Sequence, residues 1–158
     1  MKKAVRLVIS VDWEGLSLES HNLERLRQFK KRWAIPMVHY MNPAYFTHPE
    51  LKNKAKSVNF KETIGFDDEW GLHLHAPKHF VSACGIDARI RPSFAVAGDS
   101  YSGEMKGQEV MLHSYLPEEF EKLIQLSFDL FLNQGLPLPT SFRAGGWMLE
   151  PSFFTILH

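Results

Sequence analysis

Residues 4–11, Ala-Val-Arg-Leu-Val-Ile-Ser-Val, form an apolar, largely β-branched run of strand length. Such a run predicts a buried, parallel strand. Over 21–33 the period lengthens. Leu26, Phe29 and Trp33 recur at helical spacing among Glu24, Arg25, Arg27, Lys30 and Lys31, which predicts an amphipathic helix with Ser20 as its N-cap. A short strand is expected at 35–40, stopped by Asn42-Pro43, with short helices at 44–46 and 49–56. Over 69–75 the alternation is that of a strand: Trp70, Leu72 and Leu74 fall on one side, His73 and His75 on the other, and Pro77 ends it. The stretch 80–114 has no period and is rich in turn residues (Gly85, Pro92, Gly98, Gly103, Gly107). Its length marks it as a lid, a substrate-binding insertion or an excursion with strands of its own. From Pro117 to about Gln134 the spacing of Phe120, Leu123, Ile124, Phe128 and Phe131 predicts a strong helix, with acids in its first turn and Gly135 as C′. A fourth strand at 140–143 runs into Ala144-Gly145-Gly146-Trp147, and Pro151 opens a last helix. Strands alternating with helices predict an α/β fold with a parallel sheet, in one domain spanning 1–158.

The chemistry gathers where the strands end. Asp12 and Glu14 follow the first strand, and two acids there are costly unless solvated, paired or bound to a cation. A single acid at this place is commonly a helix cap; two at i and i+2, pointing the same way, fit that role less well. His73 and His75 share a strand face, and His79 sits four residues after His75, beyond the turn. His-x-His also arises on edge strands with no consequence, so the histidines acquire meaning only from further ligands. Arg143 stands where the fourth strand gives way to a Gly-Gly turn and Trp147, a place suited to pairing with a carboxylate at the mouth of a pocket. In α/β folds that mouth lies at the carboxyl ends of the strands.

Composition narrows the classes. Apolar residues make up 44% and charged residues 23%, as in globular proteins with a real core. Lys+Arg and Asp+Glu balance at 18 each, so no basic field points to nucleic acid. One cysteine, Cys84, allows no internal disulfide and fits a reducing compartment; nothing near it in sequence marks it as reactive. The apolar run behind the amino-terminal lysines is broken by Arg6 and Asp12, too early for a signal peptide or membrane span. A cytoplasmic location is therefore expected. The lysines at 52, 54, 56 and 61 read as a solvated face, and His39 is given no role.

Three segments together resemble the polysaccharide deacetylase, or NodB-homology, family (carbohydrate esterase family 4). Val8-Ile9-Ser10-Val11-Asp12-Trp13-Glu14-Gly15 is similar to its Thr-Phe-Asp-Asp-Gly motif in a Val-Asp-x-Glu form. Gly71–His79 resembles its His-Ser/Thr-x-x-His metal pair, and Ser141-Phe142-Arg143-Ala144-Gly145-Gly146-Trp147 its Arg-x-Gly/Pro-aromatic strand end. The resemblance implies an incomplete distorted (β/α) barrel of about four parallel strands, flanking helices and the insertion at 80–114. It implies a metal-dependent hydrolase that removes an N-acetyl or other N-acyl group from a sugar. Asp12 would be the general base and Glu14 the carboxylate ligand of a divalent metal, usually zinc. Two of His73, His75 and His79 would complete the metal site, with His75 and His79 favoured by spacing and His73 as a third ligand or a neighbour that orients one. Arg143 would hold Asp12 in place, and Trp13 and Trp147 would contact the sugar. The family's full barrel and its acid histidine need more chain, so this chain is expected to be an amino-terminal part of a longer protein or a truncated gene product, self-associating through an uncovered sheet edge. The competing expectation is a non-catalytic carbohydrate-binding or interaction module on the same scaffold.

Overall fold

A computed structural model of the chain describes residues 6–14, 20–50, 63–95 and 102–157. The strands are β1 (Ile9–Trp13), β2 (Met37–Met41), β3 (Glu69–Leu74) and β4 (Ser141–Ala144); the helices are α1 (Ser20–Trp33), α2 (Lys78–Ala83) and α3 (Pro117–Asn133). All strand pairs are parallel and the sheet order is β1-β2-β3-β4, so the α/β expectation holds.

The register explains where the polar residues go. Asp12, Tyr40, Gly71 and Ser141 lie side by side in one row across the sheet, and His73 pairs with Arg143 two residues further on. Because side chains alternate, Asp12, Glu14, Tyr40, His73, His75 and Arg143 share one face. The other face carries Trp13, Met41, Leu72, Leu74 and Ala144 into the core, where Phe120, Leu123, Ile124 and Phe131 of α3 meet them. Gly71 is required in the shared row: a Cβ there would run into the Tyr40 ring.

Several boundaries differ from the expected ones. β1 starts at Ile9, and Leu7 and Val8 before it are exposed. The strand is parallel but only partly buried, because it is an outer strand with no partner on its far side among the described residues. β4 has an open side in the same sense. In α1 the buried stripe runs through Leu23, Leu26 and Lys30, the lysine entering because Asp68 receives it. Trp33 lies on the flank, 53% exposed, with the Arg32 guanidinium 4.9 Å over its ring. Ser20 is the first helical residue of α1, not a residue outside it.

α3 ends as expected at Gly135, φ 63°, and at its start the Leu116 N–H donates to Glu119 Oε2 at 2.8 Å. Pro151–Thr155 forms a short 3-10 segment. Within 80–114 the excursion has no strands of its own among the described residues, only one bridge between Ser93 and Val110. It folds back over the polar face through Phe94 N–H donating to Glu109 O at 3.0 Å. Cys84 is half-buried, its thiol pushed up to about 11 mainly by burial, in line with an inert residue. The lysine cluster at 52–61 and most of the helix expected at 49–56 lie outside the described residues. Among the described residues no helix is long and apolar enough to cross a membrane.

Candidate metal centre

β3 delivers His73 and His75 on the polar face, and β1 delivers Glu14 just past its end. Both imidazoles are buried, and the Glu14 side chain is 46% exposed, so the site opens on Glu14's side. His73 Nδ1 lies 3.1 Å from the carbonyl oxygen of Arg143, and His75 Nδ1 lies 2.9 Å from that of Gln108. A carbonyl only accepts, so each Nδ1 carries the proton and each Nε2 presents a bare lone pair. Those two Nε2 atoms are 3.0 Å apart, and Glu14 Oε2 is 2.9 Å from one and 2.7 Å from the other. Three acceptors therefore converge on one point. Without a shared cation or an added proton they repel. Two imidazoles oriented by backbone carbonyls, plus a carboxylate, are a donor set that could hold a divalent metal ion. Their ligand atoms all lie within 4.8 Å of one another.

Asp12 sits beside this triangle. Arg143 reaches back from β4 across the sheet; Nη1 donates to Asp12 Oδ1 and Nη2 to Ser10 Oγ at 3.0 Å. The guanidinium is sandwiched, 3.9 Å over the Tyr40 ring and 4.6 Å from the Trp147 ring. That stacking fixes a planar cation in a way a lysine could not reproduce. Asp12, Glu14, His73, His75, Phe94, Gln108, Glu109, Gly146 and Trp147 line a cavity of about 300 Å³.

The glycine pair after β4 shapes the wall. A Cβ on Gly145 would stand 2.6 Å from His75 Nδ1, so only glycine leaves the imidazole room. Gly146 has φ 65° and Trp147 φ 61°, and a tryptophan in that region is strained. The strain turns the indole outward over Arg143, where it remains 76% exposed at the cavity rim.

Of the residues singled out in the sequence, Asp12, Glu14, His73, His75, Arg143 and Trp147 meet here. His79 does not. Proline 77 starts α2 instead of a loose turn, and α2 carries His79 away, to Thr47 Oγ1 at 2.9 Å and edge-on to His48 at 4.8 Å between ring centroids. The histidines that could hold an ion together with Glu14 are thus the i, i+2 pair that shares a strand face, not the i, i+4 pair favoured by spacing. At odd register from Asp12 and Glu14, Trp13 turns to the core, 6% exposed, and lines a second cavity of about 420 Å³ that shares Asp12 and Glu14 with the first.

Sequence reasoning passed over Tyr40, Phe94, Gln108 and Glu109. Tyr40 could have been found from its row with Asp12 once pairing was assumed; the other three arrive through an aperiodic excursion that leaves no such signal. The chain matches no known family model, no curated protein and no solved structure.

Proposed function

We propose that the chain is a metal-dependent hydrolase that removes an N-acyl group, in the first instance N-acetyl, from a sugar or polysaccharide, with zinc as the resident ion. The observation that carries this reading is the convergence of Glu14 Oε2 with two lone-pair Nε2 atoms beside the Asp12–Arg143 pair. Strands in sequential order, with polar groups at their carboxyl ends, support the resemblance to a (β/α) barrel of the NodB-homology type.

Glu14, His73 and His75 would hold the ion, which when bound supplies polarisation of the acyl carbonyl and acidification of a water. Asp12 takes the proton from the attacking water and gives the departing nitrogen the proton it needs as the C–N bond breaks. Arg143 holds Asp12 through Oδ1, leaving Oδ2 without a hydrogen bond among the described residues and available for this task. Trp147, exposed at the rim, offers an apolar ring face to a sugar. Cavity walls from Phe94, Gln108 and Glu109 narrow access for bulk water.

The test is release of primary amine from N-acetylated oligosaccharides by zinc-loaded parent protein and by Asp12→Asn. The variant is expected to keep its metal and lose roughly 10²–10⁴-fold in turnover, the usual contribution of a positioned base. An Asp12→Asn protein as active as the parent would sink the assignment. Sugar binding that survives chelation, with no amine from any N-acylated sugar, would favour the non-catalytic binding module.

A further inference from the structure

The metal centre has a second, fully buried polar chain behind it. Trp13, between Asp12 and Glu14, points away from the site, and its indole Nε1–H donates to His39 Nδ1 at 3.0 Å. An indole N–H can only donate, so His39 Nδ1 bears a lone pair and its proton is on Nε2. His39 Nε2 lies 3.0 Å from Asp68 Oδ2 and donates to it. Burial pushes the His39 pKa down, with Asp68 opposing, which agrees with this neutral tautomer.

Asp68 is saturated. Its Oδ1 accepts from Lys30 Nζ and from Met37 N–H at 2.9 Å, and Oδ2 also accepts from Gly65 N–H at 2.6 Å. His39 and the Asp68 side chain are 0% exposed. One carboxylate therefore ties α1, β2 and the turn before β3 to the indole that flanks both acids of β1.

Apolar side chains of similar size would fill this layer at least as stably, since a buried ionic network seldom repays its desolvation. What such a network adds is direction: each hydrogen bond fixes an angle that a methyl contact would leave free. Direction matters at this place because Glu14 lies beyond the last ladder residue of β1, and its side chain is 46% exposed. The backbone there is held by Asn42 N–H donating to Trp13 O at 3.2 Å; the indole provides the second anchor.

We infer that His39 and Asp68 are positioning residues for the metal centre, setting the indole of Trp13 and through it the segment that presents Asp12 and Glu14. The inference rests on the metal-centre part of the proposed function and not on the substrate. Asp68→Asn illustrates the logic. Four donors face that side chain, so an amide must turn its NH₂ toward two of them. If it faces His39, it inverts the tautomer and sets Nδ1–H against the indole N–H.

The test is Co²⁺ titration of the intact chain, followed by visible absorption, alongside thermal unfolding. The proteins are the parent, Trp13→Phe, His39→Leu and His39→Asn. Trp13→Phe keeps an aromatic ring but removes the donor together with the pyrrole half of the indole, so the His39 variants separate the hydrogen bond from packing. Expected are cooperative unfolding in all four and Co²⁺ affinity reduced about 10- to 100-fold, with an altered spectrum, in Trp13→Phe and His39→Leu. His39→Asn, whose Oδ1 can replace the Nδ1 acceptor, recovers most of the affinity, which a packing role would not allow. Parental affinity and spectrum in Trp13→Phe would overturn the inference, whether or not the His39 variants fold. A parent that takes up no Co²⁺ would overturn the metal centre itself, and this inference with it.

Discussion

Replacing Gly145 by alanine adds one methyl group, no charge and no hydrogen-bonding atom. The new Cβ would lie 2.6 Å from Nδ1, 2.7 Å from Cε1 and 2.8 Å from Cγ of His75, meeting the ring and not the end of a flexible chain. To reach ordinary contact the imidazole must retreat by about 0.8–1 Å. His75 is 6% exposed and its Nδ1 is committed to Gln108 O at 2.9 Å, so it has no easy direction to move. Metal–ligand distances tolerate about 0.2 Å, so a shift of that size removes His75 as an effective ligand. The expected loss is about 10- to 100-fold in Zn²⁺ affinity, or about 1.4–2.8 kcal/mol. Overpacking should also cost the metal-free protein about 1–3 kcal/mol. Gly146→Ala is the control. It is strained at φ 65° and presses on Phe94, not on a ligand, so it should lower thermal stability with less effect on the metal. Calorimetric titration of Zn²⁺ into both variants decides the matter. Parental stoichiometry and affinity in Gly145→Ala would refute the placement of His75 and with it the ligand set.

Two further outcomes follow from the same geometry. His79 is held neutral, at about 4, by burial first and by His48 second, while the unfolded chain titrates near 6.5. The unfolded state therefore binds a proton that the folded state refuses, and stability is full above pH 6.5 and falls as pH drops toward 4, by about 3 kcal/mol at most. His79→Phe should flatten that part of the urea-denaturation pH profile, leaving a share of the same sign from His39, and keep full metal affinity; lost metal would return His79 to the ligand set. The open sides of β1 and β4, with Leu7 and Val8 exposed beside β1, predict self-association, seen in light scattering as a mass above that of one chain that rises with protein concentration. A clean monomer at every concentration would refute it.

The sheet was legible because its signals are local. Alternation at 69–75 put Leu72 and Leu74 in the core and the histidines opposite, and the stripe of Phe120, Leu123, Ile124 and Phe131 is the buried side of α3. What failed depended on partners distant in sequence. Lys30 enters the buried stripe of α1 only because Asp68 waits for it, and His39 has no meaning without Trp13 and Asp68. His79 was misplaced because spacing was read without the helix that Pro77 starts, whose axis turns the i+4 position off the face that β3 holds. Gln108, Glu109 and Phe94 come from an aperiodic stretch, and no local pattern announces a residue that reaches a site by a folded-back chain.

The clamp on Asp12 also sets an order of assembly. Asp12 and Arg143 are 131 positions apart, and the carbonyl that orients His73 belongs to Arg143 itself. On a ribosome Glu14, His73 and His75 would all emerge long before the carbonyl that aims His73. A nascent chain stopped short of β4 would own a complete ligand list and an unaimed imidazole, with nothing beside Asp12 to fix it. Contacts this distant in sequence form late, since the entropy of closing so long a loop must be met before they return any energy. Metal uptake would then report that β4 has docked.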